Sequence, residues 1–263
     1  MFIAGANQNS PEIRSSSIKG LIRYWWRATQ AESNLENLRN LEGALFGTVI
    51  KPAHKSPVAI RMHSKNPMIA NHKPVPHKGY LVKAINVGFE FSIDLIFRNE
   101  IASYADILDL AMILGGLGRR SRRGFGATKR IDQGSEHTIS MDYVYSLLTK
   151  ITHAQYKKNN SRIILHQNVR LHYPYIRKIE IGKDWDSWKE LLEYISKETK
   201  RNKTLIEANR KNTRFASPIW ISVLEDENEN SFRPIVTTLH IAGSGKRTIK
   251  SEMENFGRVI LNA

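Results

Sequence analysis

Apolar positions change their spacing several times along the chain, and each change marks an element. Ile18, Leu21, Ile22 and Trp25 recur at intervals of three and four, the period of one helix face. With Ser15, Ser16 and Ser17 offering N-cap oxygens, this spacing predicts a helix over residues 15–33. A second helical piece covers 34–46 and closes at Gly47. Residues 57–63 alternate like a strand, and Phe89, Phe91, Ile93, Leu95 and Phe97 alternate more cleanly. The stretch 54–83 is rich in Pro, His, Lys and Asn and predicts, for the most part, a mobile insertion. Residues 101–114 form a strongly apolar helix stopped by Gly115-Gly116-Leu117-Gly118. A basic glycine loop follows, then a short strand at 127–131.

The pattern starts afresh near residue 140, which divides the chain into 1–139 and 140–263. Residues 141–151 predict a connecting helix, and 163–165 and 176–181 predict strands. A long helix is expected over 185–209. Strands at 219–224 and 235–241 read as a hairpin joined by the acidic turn Glu225-Asp226-Glu227-Asn228-Glu229, and a last helix covers 251–261. This order of elements is that of an α+β protein with antiparallel sheets and helices on one face.

Composition adds a partner class. The chain has 263 residues, 41% hydrophobic and 25% charged, enough apolar material for a sizeable core. Forty Lys and Arg against 25 Asp and Glu leave a formal charge of +15. Such a surplus favours a polyanion, nucleic acid above all. The absence of cysteine excludes disulfides, Cys-containing zinc sites and thiol catalysis. No apolar run approaches the ~18–20 residues of a membrane helix. The first residues lack the pattern of a secretory leader. The expectation is a cytoplasmic protein with no membrane partner.

Two segments concentrate candidate chemistry. In the first, Lys19, Arg23 and Arg27 are spaced by four on one helix face, behind the hydroxyls of Ser16 and Ser17 and the positive end of the helix dipole. That combination suits a phosphate. In the second, Gly115 to Gly126, the four arginines Arg119, Arg120, Arg122 and Arg123 fall within five residues, framed by Gly115, Gly116, Gly118, Gly124 and Gly126. Glycines let a ligand approach the backbone, and arginines bind phosphate with a planar fork. Ser121 adds a hydroxyl, and Phe125 is placed either to stack on a base or to anchor the loop.

Other candidates fail on their spacing. Gly243-Ser244-Gly245-Lys246-Arg247-Thr248 has His240 where a phosphate loop needs glycine and Arg247 where it needs Ser or Thr. The loop at Gly116-x-Gly118 has Ser121 where a dinucleotide fingerprint needs its third glycine. No ATP or NAD cofactor is implied. His54, His63, His72 and His77 lie on a Pro-broken stretch without metal-ligand spacing, so no metal is expected. Asp184, Asp186 and Glu190 are read as acids at a helix start.

The stretch Ser-Ser-Ile-Lys-Gly-Leu-Ile-Arg-Tyr-Trp-Trp-Arg from Ser16 to Arg27 resembles the signature of the first subunit of type III-B (Cmr) CRISPR complexes, within the RAMP superfamily. Gly115–Gly126 resembles the glycine-rich loop of the same family, and Arg214-Phe215-Ala216-Ser217-Pro218-Ile219 is similar to its second-half Ala-Ser-Pro segment. The resemblance implies two ferredoxin-like (RRM-like) halves. It implies binding of CRISPR RNA near its 3′ end and capture of target RNA, within a ribonucleoprotein of other Cmr subunits. It assigns RNA contacts to Ser16, Ser17, Lys19, Arg23, Arg119, Arg120, Arg122 and Arg123. It leaves target cutting to another subunit, so no catalytic residue is expected here. Family members carry a full strand before the segment matching Met1–Ala6; the resemblance therefore implies an interior strand that is truncated or supplied by another chain.

Two other readings stand beside this one. A RAMP endoribonuclease that processes CRISPR transcripts would use His153, His166 or His172 with a neighbouring cation. A general single-stranded-RNA-binding protein would share the basic segments without the complex.

Overall fold

A computed structural model describes residues 1–4, 10–74, 79–98, 101, 103–131, 139–169, 171–202, 209–210, 213–214, 217–226, 229–240 and 247–263. Helix α1 (Ser15–Gln30) lies at the centre of the packing, with Ile18, Ile22, Trp25 and Trp26 buried. It packs on α2 (Leu35–Phe46) and on α3 (Ser103–Leu114), which buries Tyr104, Ile107, Leu110 and Leu114. α1 starts at Ser15 as expected, but its cap differs. Arg14 takes the N-cap place with no side-chain cap bond, and Ser15–Ser17 are the first three helical residues. The helix stops three residues early because Ala31 turns left-handed at φ 46°. Asn34 instead caps α2, its side chain accepting from the amides of Glu36 and Asn37.

Strands β1 (Val58–Ser64) and β4 (Phe91–Phe97) pair antiparallel from Val58↔Phe97 to Ser64↔Phe91. The segment expected as a mobile insertion holds a second pair, β2 (Ile69–His72) with β3 (Val82–Ile85). Its short strands are too mixed in polarity to alternate, which hid them. The chain start adds to β3. Ile85 donates to Met1 O (3.0 Å), the Met1 amino group donates to Ile85 O (2.6 Å), and Arg119 N donates to Phe2 O (2.6 Å). Met1 and Phe2 thus lie between β3 and the arginine loop, with backbone partners on both sides.

After α4 (Met141–Ile151) the chain builds a five-stranded antiparallel sheet of order β10-β11-β7-β6-β5. Its strands are β5 (Tyr156–Asn159), β6 (Arg162–Leu165), β7 (Ile176–Ile181), β10 (Ile219–Asp226) and β11 (Ser231–Leu239). A small pair, β8 (Asn209–Arg210) and β9 (Thr213–Arg214), precedes β10. Helices α5 (Trp188–Arg201) and α6 (Arg247–Leu261) complete the chain. β5 escaped the pattern because a basic edge strand carries one apolar residue, Tyr156. The strand expected at 127–131 is absent: Lys129 pairs with Glu225 (2.7 Å) and Arg130 with Asp109 (2.6 Å), so this segment is fixed by side chains. α5 ends at Arg201, and residues 203–208 of the expected longer helix lie outside the described residues. Residues 227–228 of the acidic turn also lie outside them, and Glu225 and Asp226 belong to β10.

The β10–β11 hairpin is covered on both faces rather than one. Trp220, Leu224, Ile235 and Leu239 join the core of α1, α3 and α4. Ile219, Ile221 and Val236 pack with Leu191, Ile195, Phe256 and Ile260 of α5 and α6. The near-continuous apolar run Ile219-Trp220-Ile221 is what two-sided burial requires. The main core also continues across residues 139 and 140: Val144, Leu147, Leu148, Ile163 and Ile176 share it with Trp25 and Tyr104. Tyrosines fasten the two parts at the end of α1. The Tyr173 hydroxyl donates to Glu32 O (2.8 Å), and the Tyr156 hydroxyl reaches Thr29 O (3.3 Å) and Ile176 O (3.2 Å).

Candidate nucleic-acid interface

The arginine loop hangs from the end of α3 and docks in three places. Gly115 abuts α1: a Cβ there would stand 2.6 Å from Trp25 Nε1 and 3.1 Å from Leu21 Cδ1. Leu117 N donates to Gly126 O (2.9 Å), which closes the loop at its neck. Gly124 N donates to Ile221 O (2.7 Å), so the far side lies along the free edge of β10. Gly116 sits in the neck beside Phe125 O and Ser121 Cβ. Ser121, Arg122 and Arg123 form one 3-10 turn.

Two glycines are there because the backbone leaves no choice. Gly118 has φ 89° and a Cβ there would meet Phe2 O at 2.3 Å; Gly126 has φ 77° and would meet Leu117 O at 2.1 Å. Arg120 also takes the left-handed region, at φ 64°. An arginine, unbranched at Cβ, can hold that conformation at a cost of about 1–2 kcal/mol, which places a strained residue at the loop tip.

The four loop arginines divide into two roles. Arg123 points inward. Its Nη1 donates to Ile219 O (3.0 Å) and Arg122 O (2.6 Å), and it is 6% exposed. Burial, with Arg120 and Arg122 adding to it, pushes its guanidinium down to about 10. The expectation of a direct RNA contact at Arg123 is therefore corrected: it satisfies a carbonyl on the edge of β10, and a buried guanidinium cannot reach a phosphate outside. Arg119 is exposed, and Arg120, Ser121 and Arg122 are half-buried. Arg122 lies over the Trp220 ring at 4.6 Å, and Arg120 lies 5.8 Å from the Phe125 ring. Phe125 packs on Phe2 at 5.4 Å, which makes it an anchor of the loop. Burial lowers the Arg120 pKa, and Tyr80 opposes that shift. Among the described residues none of these four arginines has a carboxylate partner, and Arg120 Nε and Arg122 Nε are buried without an acceptor.

Helix α1 joins the loop through a shared aromatic cluster. Trp220 contacts Tyr24 at 5.5 Å and Trp25 at 5.2 Å, and it carries Arg122 on its ring. The tryptophans of the helix are thus packed, with Trp25 fully buried and Trp26 3% exposed, and offer no open platform for bases. Ser16 is exposed and Ser17 half-buried in the first turn. The basic face is present but partly neutralised. Arg23 Nε donates to Glu42 Oε1 (2.5 Å), and Arg27 Nη2 donates to the same oxygen. Lys19 has no acidic partner among the described residues; burial and Arg23 lower its pKa.

Glu42 and Trp220 were missed in the sequence. Glu42 stands at four-residue steps from Leu38 and Phe46, on the buried stripe of α2. An acid on an apolar stripe is a signal for a buried ion pair. Trp220 was hidden inside a continuous apolar run.

The described histidines do not assemble a site. His54 lies 3.0 Å from Gly43 O, His63 pairs with Asp94 at 2.7 Å, and His72 lies 2.7 Å from Asn86 Oδ1; His77 is outside the described residues. Among the described residues no group of three His, Asp or Glu is placed to hold a metal. His166 lies 3.2 Å from Lys157 Nζ. That pair is at the β5–β6 end of the sheet, three to four strand steps or roughly 14–19 Å from β10. His153 and His172 are exposed. The segment 241–246 lies outside the described residues, as do Phe215 and Ala216. Asp184 and Asp186 precede α5, whose N-cap is Ser187, and Asp184 accepts from Ser231 instead. No helix among the described residues is long and apolar enough to cross a membrane.

An α+β chain that packs a basic helix against an arginine-glycine loop defines a class, and comparison places it. A profile of the RAMP superfamily matches residues 1–129, which contain both α1 and the loop. Over that stretch, just under half of its length, the chain is similar to the RAMP superfamily. It is 25% identical to the CRISPR system Cmr subunit Cmr1-1 of Pyrococcus furiosus over 290 residues, 88% of this chain and 85% of that one. Cmr1-2 of the same organism is 28% identical over 172 residues, 49% of this chain and 88% of the relative. A chain in the cryo-EM structure of Type III-B Cmr-beta bound to cognate target RNA and AMPPnP superposes with TM-score 0.57, covering 98% of this chain and 97% of that chain at 12% identity. At that identity the likeness speaks for the fold.

Proposed function

We propose that this chain is a non-catalytic RNA-binding subunit of a type III-B CRISPR effector complex, in which it contacts the 3′ region of CRISPR RNA and helps capture target RNA for antiviral defence. The observation that carries the reading is the unpaired charge of the loop. Arg119, Arg120 and Arg122 gather beside α1 with no carboxylate among the described residues, and two of them keep a buried N–H without an acceptor. A cation cluster of this kind is self-repelling until a polyanion neutralises it. The relationship to Cmr subunits supports RNA as that polyanion and a cytoplasmic ribonucleoprotein as the setting. The contacts then fall to Ser16, Ser17, Lys19, Arg23 and Arg27 on the helix and to Arg119, Arg120, Ser121 and Arg122 on the loop.

The test is purification from the native host under low salt, followed by sequencing of bound RNA. Expected is a small RNA of uniform length with repeat-derived ends, together with other Cmr subunits. A mixed population of cellular RNAs, with no repeat-derived species, would point to a general RNA-binding protein. A discrete cleavage product from labelled repeat RNA without metal would point to the endoribonuclease.

A further inference from the structure

Glu42 is the one acid placed, among the described residues, inside the cationic surface. It is 5% exposed, and its Oε1 accepts from both Arg23 and Arg27, whose side chains keep 47% and 40% of their surface open. It lies on α2, one helix away from the cations it binds. Ordinary electrostatics would make such an acid a brake on RNA binding, because it cancels positive charge. The geometry admits the opposite. Arg23 and Arg27 are one turn apart on α1, and each uses one edge of its guanidinium for Glu42. The remaining N–H groups stay at the surface in a fixed direction. A free arginine would lose its rotamer freedom on gripping a phosphate; these two have lost much of it already.

We infer that Glu42 is a positioning residue: by holding Arg23 and Arg27 from beneath, it presets two guanidinium forks for adjacent phosphates of the bound RNA strand, and so strengthens binding despite its negative charge. Resting on the RNA-binding reading, the inference adds a residue to it that touches no RNA. Burial explains why the acid itself does not repel the strand. Its charge is enclosed by the two cations and by the α1–α2 packing.

Preorganisation and a brake differ in sign, which makes them separable. Glu42→Gln raises the net charge by one, and Glu42→Asp leaves it unchanged but withdraws the carboxylate by one methylene. Preorganisation predicts that both variants bind single-stranded RNA more weakly, by about fivefold for two released arginines, with a shallower salt dependence. A brake predicts tighter binding and a steeper salt dependence for Glu42→Gln, and no change for Glu42→Asp. The probe is a labelled single-stranded RNA of mixed sequence, titrated with the full chain at several salt concentrations, with melting temperatures measured alongside. Introducing Glu42→Gln into an Arg23→Ala, Arg27→Ala background removes the route of action, so its effect on affinity should vanish there; a merely structural role would persist. Tighter or unchanged binding in both single variants would overturn the inference. Failure of the wild type to bind RNA at all would instead overturn the functional reading beneath it. If Glu42→Gln does not fold, Glu42→Asp decides the question alone, because its net charge is that of the wild type.

Discussion

Replacing Arg119, Arg120 and Arg122 together by alanine is expected to weaken single-stranded RNA binding by about a hundredfold at fixed salt, while the melting temperature stays close to that of the wild type. That magnitude corresponds to about one phosphate for each arginine at about 1 kcal/mol net, after loss of water interactions. The slope of log K against log salt should fall by about 0.7 for each phosphate no longer held. Stability is spared because no carboxylate among the described residues depends on these cations, and removing them relieves their mutual repulsion. Arg123→Ala should do the reverse. It leaves Ile219 O with only the longer bond from the Ser217 hydroxyl (3.3 Å) and opens a void beside Phe256. A loss of about 2–4 kcal/mol is expected, with the salt slope intact. If Arg123→Ala lowered the salt slope as the triple variant does, the division of the loop into an inner and three outer arginines would be wrong.

Gly126→Ala is expected to destabilise the protein by about 3 kcal/mol or more, a fall in Tm on the order of 10 °C. A side chain at φ 77° is disfavoured by itself, and the Cβ would stand 2.1 Å from a backbone oxygen that cannot swing away. Gly118→Ala should behave alike, because Phe2 O lies 2.3 Å from the same position. Gly20→Ala is the matched control. Gly20 sits inside α1 with nothing within 4 Å of a new Cβ, so alanine should stabilise the helix by up to about 1 kcal/mol. Thermal unfolding of the three variants checks this. An unchanged Tm for Gly126→Ala would mean that the loop neck is not built as described.

Much of this arrangement was legible in the residues, for reasons that can be named. The four-residue spacing of Lys19, Arg23 and Arg27 fixed one face of α1, and the glycines around the arginines marked a loop with unusual backbone angles. α4 and β7 matched their expected limits. Local pattern could not see what depends on distant partners. Nothing near Arg123 distinguishes it from Arg122; the difference is the free edge of β10, 96 residues further on. Nothing near Arg23 points to Glu42 except that an acid stands on an apolar stripe. The serines before Ile18 read as caps, and the helix does begin at Ser15 as expected, yet the N-cap place falls to Arg14, whose side chain makes no cap bond. Pairing of β2 with β3 is likewise a matter of contact between separated, weakly patterned stretches. Long-range hydrogen bonds and ion pairs decided each of these, and they decide which charges remain for a ligand.

One ribose-phosphate strand is expected to lie along both the basic face of α1 and the outer arginines of the loop. Ultraviolet cross-linking of a bound uridine-rich RNA, followed by mass spectrometry of the attached peptides, tests this most directly. Cross-links are expected in peptides spanning Ser15–Arg27 and Gly115–Gly126, both from a single short RNA and both lost in the triple arginine variant. Cross-links confined to the β5–β6 end of the sheet, around Lys157 and His166, would contradict it.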